Sequence, residues 1–298
     1  MSLIAIIIIS LDCFSQLHSY IVDLSCEHFR YVPAEPPRAI LNRIPAGLPP
    51  FLDNTKASRE LRSAYVQHLI SKTLMERIFQ PFLFTLEEGY DETDALLQTL
   101  SSEMRQKSVR REAFWRQQTL KAAYTTPDAK QSISRAANAV AKEIVEEIRY
   151  FTDSQRELEA VVRGVRRIVK LAVETWRRAR IERELIVASF SKVDTNAEWE
   201  EYGAEQYEWQ QQQRHRPVML RLFPQIIREA GHEGLMDEQE RVSGCVYSRG
   251  TLIYGDSPVI EARLAERSGR RDFGWQQQHA RQSSGSSAGT GREIGVFG

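Results

Sequence analysis

RELEAVVRGVRRIVKLAVETWRRARIER, residues 156–183, sets apolar side chains at a fixed spacing and cations between them. Leu158, Val165, Ala172 and Ala179 recur every seven residues, as do Val162, Val169 and Trp176, while Val161 and Ile168 widen the stripe. At roughly 100° per residue these positions fill an arc of about 140°, the width of a helix face committed to a core. Arg163, Arg166, Arg167, Lys170, Arg177 and Arg178 gather on the other side. The stretch predicts one helix with a buried face and a cationic face. The pattern alone leaves open whether solvent, an acidic neighbour or a polyanion meets the cations.

Helix start signals crowd together upstream. Ser154-Gln155-Arg156-Glu157 is a capping box for this helix. Thr126-Pro127-Asp128 reads as N-cap, proline at the first helical position and an acid in the first turn. Ser108 caps a helix carrying Val109, Ala113, Leu120 and Tyr124, and Asp91 or Thr93 caps another holding Leu96, Leu97, Leu100 and Met104. From Ser58 to about Leu86 a further helix is expected, ending or breaking near Pro81. Starts this close require short connections, hence antiparallel neighbours. The expected fold class is all-α: a bundle of six to eight helices over residues 57–268, with a small C-terminal β-hairpin near 242–254 in which Gly250 supplies the turn. Ser257-Pro258 should open a last helix to about Arg267.

The flanks read differently. Residues 33–50 hold six of the eleven prolines, which excludes regular helix there, and residues 1–56 are expected to form an extended, proline-rich segment laid across the bundle. Leu3–Ile9 is far shorter than the roughly 20 apolar residues of a membrane span, and a buried strand, or an accident of where the chain is taken to begin, is expected. It also lacks the basic and small-residue flanks of a signal peptide. Residues 269–298, rich in glycine, serine and glutamine, are expected to form a disordered tail.

Charge is balanced overall, 40 basic against 40 acidic residues, so an electrostatic role must come from segregation. Residues 156–183 hold nine basic and four acidic residues; 104–124 hold six basic residues against Glu112. Phe114 and Trp115 lie off the apolar stripe of that second segment, beside Lys107, Arg111 and Lys121, an interleaving suited to stacked bases and phosphates or to burial on two faces. The compensating acids sit partly at 198–208, within a helix expected from Thr195 to near Pro217. Its aromatics Trp199, Tyr202, Tyr207 and Trp209 are candidate docking residues for a basic partner or for the chain's own cationic helix.

Other constellations are weaker. Gly255-Asp256-Ser257 resembles the nucleophile block of GDS-type lipases, but only 41 residues follow and Asp272 and His279 are seven apart rather than in the family's Asp-x-x-His spacing. Ser257 then reads as a helix cap. Cys13, His18, Cys26 and His28 do not match the paired spacing of a zinc knuckle. Three cysteines without a Cys-x-x-Cys pair point to a reducing, intracellular location, cytoplasmic or nuclear. No cofactor is implied.

The order of elements and four local stretches resemble those of uncharacterised helical proteins of filamentous fungi: Phe114-Trp115-Arg116, Trp176-Arg177-Arg178-Ala179-Arg180, Leu222-Phe223-Pro224 and Cys245 to Gly255. The resemblance spans roughly residues 60–265 and brings no activity, cofactor or site residue. The expected function is a non-enzymatic interaction or scaffold protein working through helix faces, with a protein or a second copy of the chain as partner. The alternative is a nucleic-acid-associated protein that uses the six cations of 156–183.

Overall fold

Helices build the body, and a bent β-ribbon closes one end of it. The computed structural model describes residues 3–29, 36–82, 90–152, 155–190, 199–203, 216–229 and 245–268. Its helices are α1 (Leu3–His28), the single turn α2 (Arg38–Leu41), α3 (Lys56–Arg77), α4 (Tyr90–Lys107), α5 (Val109–Thr125), α6 (Pro127–Ile148), α7 (Gln155–Arg180) and α8 (258–268), with a 3₁₀ turn at Arg149–Phe151. Two caps act as expected: Ser108 Oγ accepts from the Arg111 N–H at 3.4 Å and Thr126 Oγ1 from the Ala129 N–H at 3.3 Å, whereas Asp91 and Thr93, expected to cap, lie inside α4. Ser154 and the tail from 269 lie outside the described residues.

Several expectations are corrected here. Residues 3–28 are a helix, not an extended segment or strand. Phe14, Leu17, Ile21 and Leu24 follow the three-and-four spacing of a helix face, and all four are buried in the main core. That core also takes in Tyr65 and Ile70 of α3, Ile144 of α6, Val165 and Trp176 of α7, Phe223 of the sheet and Ile260 of α8. Helices and strands therefore share one interior, and the first helix is part of it. No described helix is long and apolar enough to cross a membrane.

The C-terminal strands are not a simple hairpin either. They are β1 (Ile186–Ser189), β2 (Trp199–Glu201), β3 (Val218–Phe223), β4 (Gln225–Arg228), β5 (Cys245–Ser248) and β6 (Gly250–Tyr254), arranged as two three-stranded sheets, β1-β4-β5 and β2-β6-β3. Adjoining strands pair in one nearly continuous antiparallel register: Val218 with Tyr254, Phe223 with Thr251, Ile226 with Ser248 and Arg228 with Cys245. The two sheets are thus halves of one ribbon, 218–228 against 245–254, bent where Pro224 and Arg249 interrupt the strands. Proline cannot donate to the ladder, which accounts for the break on one side. Gly250 lies inside β6 rather than at a hairpin turn, and Gly203, at φ 78°, is the positive-φ glycine among the described residues. Residues 199–201, expected in an acidic helix, form β2 instead, running parallel to β6. Trp199 favours a strand, and beside a central strand the two glutamates that follow it gain ladder bonds that override their helical preference.

Two histidines join the helices to the ribbon. The His18 ring of α1 stacks on Phe223 with centroids 4.5 Å apart, and His68 of α3 donates from Nδ1 to the Arg221 carbonyl at 2.8 Å. Burial lowers the pKa of both below the ordinary 6.5; at His68 the carbonyl bond opposes the shift without reversing it. Such a histidine stays neutral in the fold and takes up its proton on unfolding. Its stabilising contribution is full above about pH 6.5 and is lost as pH falls below that. The urea midpoint is expected to drop between pH 7 and pH 5, and His18→Phe to flatten that drop. An equal pH dependence in parent and variant would remove His18 from the account.

Candidate functional site

α7 is clamped along its apolar stripe and at its C-terminal end. Val161, Val165, Ile168, Val169, Ala172, Trp176 and Ala179 are buried, and the helix packs between α1 and α6. Trp176 donates its indole N–H to the Gln80 carbonyl at 2.7 Å. At the C-terminus Arg116 of α5, itself fully buried, donates to the carbonyls of Arg180, Glu182 (2.9 Å) and Arg183 (3.2 Å), groups that an α-helix and its exit turn leave without partners. These bonds fix the rotation of α7 about its axis, and so fix which side faces out.

The outward side is the cationic one. Arg163, Arg166, Arg167, Lys170 and Arg178 are exposed, and Arg177 is half-buried. Among the described residues no carboxylate forms an ion pair with Arg163, Arg166, Lys170 or Arg178. Glu159 and Glu174 are exposed on the same helix. From residue 163 to residue 178 the row is about 22 Å long at 1.5 Å per residue. Two of its arginines are backed by rings. The Arg167 guanidinium lies 4.0 Å over Tyr20 of α1 and donates to that residue's hydroxyl, which Gln16 also approaches at 3.0 Å. Arg177 lies 4.6 Å over Tyr124 of α5. A ring beneath a guanidinium restrains it at little desolvation cost and leaves N–H edges free to face a ligand. The run Leu3–Ile9 hides the helical period of α1 and with it Tyr20, whose place one turn from the core residues Leu17 and Leu24 is the signal the sequence offers.

The acidic segment does not cover this face where it is described. Glu201 forms a bidentate pair with Arg216 at 2.7 and 2.9 Å, and Arg216 also reaches Asp256 at 2.6 Å. Glu200 is exposed. Trp199 is only 7% exposed and packs with Leu252 and Tyr254 as the core of the small sheet; Tyr202 is half-buried against the main core. Tyr207 and Trp209 lie outside the described residues.

The remaining candidates resolve into structural parts. Ser257 is fully buried; its hydroxyl donates to Glu201 at 2.6 Å and accepts the Tyr254 N–H at 2.8 Å, while its carbonyl opens α8. Cys26 contacts Ser63, His28 bonds Glu157 at 2.6 Å and His18 stacks on Phe223, so the imagined zinc set points in separate directions. Among the described residues no group of three or more His, Cys, Asp or Glu converges to hold a metal ion. Fold and site together define a helical body with a bent β-ribbon and an outward cationic helix face. No protein-family model, curated protein or solved structure matches the chain.

Proposed function

We propose that this chain is a non-enzymatic binding protein whose working surface is the exposed face of α7, and that its partner is a polyanion. One observation carries the reading. Arg163, Arg166, Arg167 and Lys170 form four like-charge pairs at i,i+3 and i,i+4, with no described carboxylate paired to Arg163, Arg166 or Lys170. Pairs of this kind each cost a helix about 0.2–0.5 kcal/mol. Glu159 and Glu174, at i,i+4 spacing to Arg163, Lys170 and Arg178, offset part of that cost, and the unbroken run 163–170 is the stretch that a bound polyanion would relieve. Arginine predominates, and its planar fork suits bidentate contact with phosphate or carboxylate oxygens.

Arg166→Glu tests this, because it should move stability and binding in opposite directions. The new carboxylate sits four residues before Lys170 and three after Arg163, so two repulsions become attractions, and the thermal midpoint is expected to hold or rise. Binding to heparin and to duplex DNA should weaken. For the parent, five exposed cations predict a log–log salt slope of about −4 to −5 on duplex DNA, and Arg166→Gln should reduce it by about one. Absence of binding at low salt, or a slope near zero, removes the proposal. An acidic protein surface would use the same cations, and would show itself as heparin binding with no affinity for DNA.

A further inference from the structure

The cationic surface extends from α7 onto α5 and acquires there an exposed aromatic ring. Phe114 is 66% exposed in the middle of α5. A single exposed phenylalanine means little by itself; its surroundings give it meaning. Arg110 stands one turn before it, Arg111 three residues before, Gln118 one turn after and Lys121 two turns after, and all four are exposed. The sole carboxylate of this helix, Glu112, is buried on the other side against Arg116. The outward face of α5 therefore carries one ring, three cations and no acid.

That face adjoins the C-terminal end of α7. Gln117 of α5 donates to the Ile181 carbonyl at 3.0 Å, and Arg177 lies over Tyr124. Lys121 is three residues before Tyr124 and four after Gln117, and Phe114 is three before Gln117, so both are next around the helix from the side that touches α7. A cationic track, interrupted on α7 by Glu174, runs from Arg163 along α7, across the Arg177–Tyr124 contact, to Lys121, Phe114 and Arg110.

Resting on the polyanion reading of α7, we infer that the ligand is a single-stranded nucleic acid, whose backbone follows the two cationic rows and one of whose bases stacks on Phe114. A duplex keeps its bases paired and offers no free π-face to the ring, whereas an unpaired strand offers one at every nucleotide. An anionic membrane surface is the competing occupant of a ring among cations. The aliphatic residues that would join it, Leu96 and Leu100 on α4, share their helix with the exposed carboxylates Glu92 and Glu103, which an anionic surface repels.

The experiment uses the full chain, with fluorescein-labelled dT15, the matching duplex, and vesicles of 70% phosphatidylcholine and 30% phosphatidylserine. Phe114→Ala is expected to weaken dT15 binding about tenfold, within the range measured for loss of one base–aromatic stack, with the salt slope and duplex affinity unchanged. Phe114→Trp should bind dT15 as tightly as the parent or more so. Arg110→Gln with Lys121→Gln should reduce the dT15 salt slope by about 0.7 per charge removed. Phe114 is exposed, so these variants should fold as the parent does. Unchanged dT15 affinity in Phe114→Ala overturns the inference, as does an equal loss on duplex. So does vesicle binding that depends on Phe114 without any preference for dT15. If Arg166→Glu weakens every polyanion while Phe114→Ala changes none, or if heparin binds and neither oligonucleotide does, the α7 reading survives and this one falls; if neither heparin nor either oligonucleotide binds, both fall.

Discussion

Replacing Arg116 by methionine is expected to lower the unfolding free energy by about 3–5 kcal/mol, the cost of leaving a buried charge without its partner. Arg116 has no exposed surface, and the Glu112 carboxylate, 2.9 Å from its Nε, is equally enclosed. Burial pulls the arginine pKa down, and the neighbouring Glu112 charge opposes that. Methionine fills much of the same volume, so packing is largely kept while the electrostatics fail. Glu112 would retain only its 3.0 Å bond from Ser101, and the carbonyls of Arg180, Glu182 and Arg183 would lose their donor. Adding Glu112→Gln to Arg116→Met removes the stranded charge but not the orphaned carbonyls, so it should recover about half of the loss. Urea unfolding followed by circular dichroism measures both variants. A single variant within about 1 kcal/mol of the parent would show that the pair does not hold the helices as described.

The same residue links stability to the proposed surface. Arg116 and Gln117 are adjacent on α5, and both donate to the chain leaving α7. They hold α5 against the C-terminal end of α7. Loosening that end should therefore uncouple the faces before it unfolds the body.

How far the sequence discloses this arrangement depends on which interactions write the pattern. α7 is legible almost to its ends, because its burial is one-sided: the apolar stripe from Val161 to Ala179 and the cations opposite are direct records of core and solvent. Ser108 and Thr126 are legible because a cap is a local device. α1 is obscured by Leu3–Ile9, a run without periodicity that draws attention from the regular spacing of Phe14, Leu17, Ile21 and Leu24 just after it. α3 presents a harder case, since Ser58, Arg62, Ser63, Gln67 and Ser71 are all buried in it and weaken the amphipathic signal. Arg62 donates to the carbonyls of Phe29, Phe51 and Asp53, and Ser63 and Gln67 both donate to Ser25 of α1. Those partners are up to 42 residues away, and no local pattern encodes them. The exposure of the α7 cations belongs to the same category, since it depends on where Glu201 finds its partner. That partner is Arg216, fifteen residues on, rather than any arginine of α7.

The ribbon shows most sharply what one misread residue costs, and it yields a prediction. Gly250 suggests a turn when read between two apolar runs. In the fold it lies in β6 beneath the Trp199 ring, where an added Cβ would come 2.3 Å from an indole carbon. The strand cannot retreat, since β6 is the central member of its sheet, paired with β2 on one side and β3 on the other. Gly250→Ala is therefore expected to cost about 1–3 kcal/mol through overpacking. Trp199→Ala should cost about 3–5 kcal/mol through the cavity left beside Leu252 and Tyr254. Combining Gly250→Ala with Trp199→Leu should cost clearly less than the sum of the two single changes, because the smaller side chain makes room for the new methyl and removes an indole N–H that is buried without a hydrogen-bond partner. Strict additivity would show that the ring and the glycine do not meet. The Trp199→Ala result also decides between two roles for this residue. A docking tryptophan can be removed with the thermal midpoint unchanged and a partner lost. A core tryptophan lowers the midpoint by several degrees in the absence of any partner, and its 7% exposure places Trp199 in that second class.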